Sequence, residues 1–317
     1  MALRWARLRV VLTLVLLCSA AATAQERELS HTERFTDSRE RLEDVERDRT
    51  AALAANPNDV DALLSRARAR LQLGKAAEGL ADFELASTIA PERADVRGQL
   101  ALAHVRLGRL ASAKVAGDAA LALDAENPSA HYALGLILLT ATTETETAIQ
   151  HFERAVARGP TASEVRFDLL RACSRAGDRV CATVQLRALR ILLSSSDARV
   201  LHSKGLVAAL NGDLDQAVAS FRQVPQASPP LPFAPLEGAL AMGRALARKG
   251  QAEQALALFQ EGVRRFPDSV EAHYDLAQAL QRAGRVQEAQ AEFAAIQQLG
   301  RKLGVDATTA APKRPRP

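Results

Sequence analysis

The chain has 317 residues, with 41 basic and 37 acidic side chains; 48% of its residues are hydrophobic but only 4% are aromatic. Much alanine and leucine with so few aromatics favours helices over a β-sandwich or barrel. A formal charge of +4 gives no basic surface of the kind that nucleic-acid binding needs.

The first stretch, MALRWARLRVVLTLVLLCSAAATAQ, sets Arg4, Arg7 and Arg9 before a short apolar run and ends on small residues. It predicts a secretory signal peptide over residues 1–24, cleaved between Ala24 and Gln25. The apolar run from Val10 to Thr23 falls short of the roughly 20 residues of a spanning helix, and no later segment comes close. The mature chain is therefore expected to be exported, periplasmic or secreted, without a transmembrane segment. Removing residues 1–24 takes away three basic and no acidic residues, which leaves the mature chain close to neutral. Cys18 opens a second reading, a lipid-anchored outer-membrane component, although Leu17 stands where a lipobox calls for a small residue.

Residues 25–35 are expected to be disordered. Next comes RERLEDVERDRTAALAANP, charged on most faces with a modest apolar seam. It predicts a helix over 36–59 that caps the open end of a stack.

From residue 60 onward one phrase recurs. A small residue is followed four places later by a ring at Gly79 and Phe83, Ala148 and Phe152, Ala217 and Phe221, Ala255 and Phe259, and Ala289 and Phe293. Weaker copies stand at Ala113 with Gly117 and Ala182 with Leu186, so the small residues are spaced by 34, 35, 34, 35, 38 and 34. Such a period marks a repeat architecture. About twelve residues earlier in most copies stands another small residue, at Ala67, Ala101, Gly135, Gly205, Gly243 and Ala277. Between the two lies a glycine, at Gly74, Gly108, Gly177, Gly212, Gly250 or Gly284. Each copy thus predicts helix, tight turn, helix: paired small residues let the two helices approach, and the phenylalanine is expected to fill space toward the next copy. Prolines at Pro91, Pro160, Pro229 and Pro267 end copies.

These small, glycine, alanine, aromatic and proline places, read best in SVEAHYDLAQALQRAGRVQEAQAEFAAI, resemble the tetratricopeptide repeat family. The resemblance covers residues 60–303 as seven units, near 60–93, 94–127, 128–162, 163–197, 198–229, 236–269 and 270–303. It implies an all-α fold, a right-handed α-solenoid behind the N-terminal capping helix. The fourth unit departs from the pattern with Leu170 and Leu186, so its helices are expected to sit farther apart. A proline-rich linker at 225–235 interrupts the array, and the final residues, 304–317, are expected to be disordered.

No catalytic constellation, cofactor loop or metal-ligand spacing stands out, so the chain reads as a non-enzyme without a cofactor. The scattered histidines, His131 and His273 at one place in different units, read as packing or surface residues. An enzyme's regulatory subunit is the competing class. Cys173 and Cys181 fall on the two helices of the fourth unit, where they either form a disulfide in an oxidising compartment or stay as buried thiols.

In this family the first helix of every unit lines an inner concave face. That resemblance implies a partner surface at Arg68, Arg106, Tyr132, Phe167, Arg171, Arg175, Arg244, Arg248, Tyr274 and Arg282, suited to a protein or peptide with carboxylates. The opposing reading is a solvated face, because Asp61, Asp95, Glu164, Asp168, Glu237, Glu271 and Asp275 share it and can pair with those arginines. The expected function is an exported scaffold for protein–protein interaction, in cell-envelope assembly or polysaccharide machinery.

Overall fold

The computed structural model describes residues 39–141, 144–158, 162–224 and 234–303. All regular structure among them is helical. The helices are α1 (39–55), α2 (Val60–Gln72), α3 (Ala76–Ile89), α4 (Ala94–Arg106), α5 (Leu110–Leu123), α6 (Pro128–Ala141), α7 (Thr145–Arg158), α8 (Ser163–Ala176), α9 (Arg179–Leu192), α10 (Ala198–Asn211), α11 (Leu214–Gln223), α12 (Ala234–Arg248), α13 (Ala252–Arg265), α14 (Val270–Arg282) and α15 (Val286–Leu303). The helices α2 and α3, α6 and α7, α8 and α9, α10 and α11, α12 and α13, and α14 and α15 pack as helical hairpins in the order the repeat predicts. The expected leader with Cys18, Ala24 and Gln25, residues 25–35, most of the 225–235 linker and the tail 304–317 lie outside the described residues. Two residues of that linker, 234 and 235, already belong to α12.

The chain divides into two compact units, residues 1–96 and 97–317, with the boundary in the first turn of α4. In the first unit, Asp59 caps α2 by accepting from the Ala62 amide at 2.9 Å, which satisfies one of the otherwise orphaned N–H groups. Asp82 on α3 is buried and takes hydrogen bonds from Arg66 at 2.7 and 2.9 Å and from Arg70 at 2.9 Å. A buried carboxylate is tolerated only when paired in this way. Arg70 also reaches Glu46 of α1 at 3.1 Å, and Lys75 donates to the same carboxylate at 2.6 Å. The leading helix is thus tied to the α2–α3 hairpin through charge more than through apolar burial, as its charged sequence requires.

In the second unit the hairpins are capped and turned by the residues the sequence marks. Asp178, Asp197, Asp213 and Ser269 each accept from a backbone N–H in the first turn of the following helix. Across both units, all six predicted turn glycines adopt φ between 69° and 85°, a left-handed conformation that costs glycine nothing and strains other residues.

The ring positions differ from the sequence expectation in direction. A Cβ placed on Gly205 would lie 2.5 Å from the Phe221 ring, one on Gly243 would lie 2.5 Å from Phe259, and one on Gly135 would lie 2.7 Å from Phe152. Each phenylalanine therefore wedges over the small residue of its own hairpin instead of being aimed simply at the next one. The reason is steric: a glycine on the first helix opens a trough that only a flat ring of the facing helix fills. Where the aromatic is missing, at Gly117, the trough is taken by Leu134 of the following hairpin.

Two histidines do related work. His131 Nε2 lies 3.0 Å from the Ala125 carbonyl and His273 Nε2 lies 2.9 Å from the Pro267 carbonyl, while their Nδ1 atoms meet His151 at 2.8 Å and Glu292 at 2.5 Å. Each pins the incoming loop to the second helix of its hairpin, a structural role, and no metal-competent cluster occurs among the described residues.

Cys173 of α8 and Cys181 of α9 are joined as a disulfide, with Cα atoms 5.8 Å apart. Closing so short a loop is worth on the order of 2 kcal/mol in the chain-entropy account. Thiol titration of the denatured, non-reduced protein is expected to find neither cysteine free; two titratable thiols would show that the bond does not form.

Candidate functional site

The first helices of the second unit, α6, α8, α10, α12 and α14, pack in series against one another. Their inward faces form one surface. Side chains of α8 and α14 meet across α10 and α12, with Arg175 Nη2 placed 3.4 Å from Glu271, so this surface is strongly concave.

Charge fills it. Arg244 of α12 donates to Glu271 Oε1 at 2.7 Å and approaches Asp275 Oδ2 at 2.6 Å. That second approach is a close ion contact, since Asp275 Oδ2 has no aligned hydrogen-bond donor. Arg175 is anchored through Nη1 on the Leu139 carbonyl of α6. Deeper in the unit, Asp168 accepts from the Tyr132 hydroxyl at 2.8 Å and from Arg171 at 2.5 Å. Three guanidiniums thus face three carboxylates.

Burial sets their titration. Desolvation works against an ionised Glu271, yet Arg244 and Arg175 outweigh it and hold its carboxyl at about 2. Asp275 is more enclosed and sits beside Glu271; burial wins over Arg244 and lifts it to about 6. Desolvation, then Asp168, raises the Tyr132 phenol well above its usual value. Burial, with Arg171 and Arg244 adding to it, favours the neutral form of Arg175 and lowers its pKa, with Glu271 and Asp275 opposing.

A carboxyl raised in the folded state stabilises the fold fully below its unfolded value near 4 and loses that contribution as pH climbs through about 6. The wild type is therefore expected to lose roughly 1–3 kcal/mol between pH 4 and pH 7 relative to Asp275→Asn. Urea midpoints for both proteins at the two pH values measure it; parallel curves would show that Asp275 titrates normally.

The sequence-derived residues separate into groups. Arg171, Arg175, Arg244, Tyr132 and Tyr274 lie on or beneath the concave surface, Tyr274 accepting from Gln278 at 2.5 Å. Arg248, one helical turn along α12 from Arg244 and on the same face, is exposed there and donates to the Ala209 carbonyl at 2.6 Å, and Arg282 makes a long contact with Gln278 at 3.5 Å. Arg106 is exposed on α4. Arg68 is exposed on α2 in the first unit. Phe167 needs correcting: at 8% exposure it is a core ring, edge-on to His202 at 5.6 Å and covered by the Arg171 guanidinium at 5.8 Å, because the turn of α8 that carries it faces α10. His202 was not singled out by the sequence. It is buried between Phe167 and Phe221, with Nδ1 lacking a hydrogen-bond partner among the described residues.

Two family models, each described as tetratricopeptide repeat, match residues 99–163 and 246–302. Those two stretches carry tetratricopeptide repeats. No curated protein matches it. Among solved structures, this repeat array is similar to a chain of the APC/C hetero-tetramer Cut9-Hcn1 at TM-score 0.60 and 15% identity, over 83% of this chain and 51% of that one. It thus spans about half the length of that protein. A tetratricopeptide repeat protein from Parabacteroides merdae aligns at TM-score 0.51 and 13% identity, over 76% and 93% of the two chains. An IFIT1 monomeric mutant aligns at TM-score 0.51 and 15% identity, over 77% and 63%. At these identities the likeness concerns the fold. No helix among the described residues is long and apolar enough to cross a membrane.

Proposed function

We propose that the protein is an exported, non-catalytic scaffold that holds an extended acidic segment of a protein or peptide against the concave face of its second unit, in the service of cell-envelope assembly or polysaccharide machinery. The observation that carries this reading is the inner surface itself. It sets the guanidiniums of Arg175, Arg244 and Arg248 and the Tyr274 ring on rigid helices along one concave wall. Guanidinium forks grip carboxylates with two parallel bonds, and a tyrosine adds contact area at small entropic cost. Tetratricopeptide repeat proteins commonly act as protein-interaction scaffolds, which agrees with the reading. The leader-like first 24 residues support export.

A photo-crosslinking side chain at position 248 or 274 is expected to trap a discrete envelope partner, whereas the same group at Val180 on the outer helix α9 is not. Arg175→Glu should reduce the adduct severalfold at unchanged far-UV circular dichroism. Equal adducts from inner and outer positions, or an adduct indifferent to the charge reversal, would end the proposal.

A further inference from the structure

The concave surface already contains its own acidic occupant. Of the three carboxylates facing the guanidiniums, Asp168 is held by both Tyr132 and Arg171, and Asp275 is only 10% exposed. Glu271 differs. Its side chain is 33% exposed, it stands in the first turn of α14, and it bridges Arg175 at 3.4 Å and Arg244 at 2.7 Å. Rotating it outward breaks no capping bond, since Ser269 caps α14. The two arginines would keep their places, because Arg175 is anchored on the Leu139 carbonyl and Arg244 on Asp275.

We propose that Glu271 is an internal substitute for the partner's carboxylate, seated on Arg175 and Arg244 in the free protein and displaced when an acidic peptide segment docks. This rests on the concave-face reading above and deepens it by assigning the residue that sets selectivity. With guanidiniums and carboxylates in balance, a weakly acidic chain gains nothing by entering. Only a segment that presents carboxylates to both arginines replaces what Glu271 supplies, so Glu271 rejects neutral and sparsely charged chains. The physics is a ligand exchange between like groups, with water solvating the displaced carboxylate.

The test uses an amidated, fluorescently labelled oligoglutamate peptide, with oligoglutamine as the neutral control, and reads anisotropy against purified protein at low and high salt. Glu271→Gln is expected to bind oligoglutamate roughly threefold to tenfold more tightly than wild type, the scale of one or two partly exposed ion pairs. The gain should shrink with salt and vanish in Glu271→Gln combined with Arg244→Gln. Glu271→Ala provides a second variant with the same expected gain should the glutamine form its own contact with Arg244. Wild-type binding that neither Glu271 variant strengthens overturns the exchange while leaving the concave-face reading in place. Absence of oligoglutamate binding by wild type and by folded Glu271 variants alike overturns both.

Discussion

Phe152→Ala is expected to destabilise the second unit by about 3–5 kcal/mol, the usual cost of deleting a wholly buried ring. Phe152 has no exposed surface, lies over Gly135 and meets the Tyr132 ring at a centroid distance of 6.1 Å. Its ring fills the space that Gly135 leaves on the facing helix, so its removal opens a cavity there. Because each hairpin of a repeat array rests on its neighbours, the loss should show as an early, local transition in urea followed by far-UV circular dichroism. The converse change, Gly135→Ala, puts a methyl within 2.7 Å of the ring and should cost about 1–3 kcal/mol by overpacking. Combined with Phe152→Leu it should cost less than the two single changes added together. Strict additivity would mean that the glycine and the ring do not share one space.

The second large effect is acid sensitivity centred on His202. Burial, reinforced by the nearby positive Arg171, pushes the imidazole down to about 3, against an unfolded value near 6.5. The folded state therefore binds fewer protons than the unfolded one throughout that interval. A histidine depressed in this way contributes stability that is complete above about pH 6.5 and disappears as pH falls toward about 3. Between pH 6.5 and pH 4 the contribution lost is about 3 kcal/mol. His202→Leu should lack that loss while keeping every carboxylate titration of the wild type, including the opposite trend from Asp275. The difference between the two stability curves isolates the imidazole. A difference independent of pH would show that His202 reaches solvent before it protonates.

Much of the architecture was legible because its causes are local. The glycines at 74, 108, 177, 212, 250 and 284 mark turns that only a residue tolerant of positive φ makes cheaply, and the small residues twelve places before Gly79 or Ala217 mark where helices touch. The direction of the phenylalanines was read less well, since a spacing of four residues tells which face a ring occupies but not how deep the trough beneath it is. The candidate site was legible as a set of residue types on one face. Its pairing was not: that Arg175 meets Glu271 depends on how sharply successive hairpins curve, a property summed over many small rotations. Phe167 shows the same limit, since its repeat place points inward while the local turn of α8 buries it under Arg171. His202 carries no motif at all, and its character comes from burial between two rings and from the nearby Arg171.

The contact between Arg175 and Glu271 joins positions 96 residues apart, whereas the packing elsewhere runs between helices that are near in the chain. Short-range contacts form early and persist; a distant one closes late and opens first. Within the second unit that contact acts as a catch, and its opening is expected to precede the loss of any hairpin.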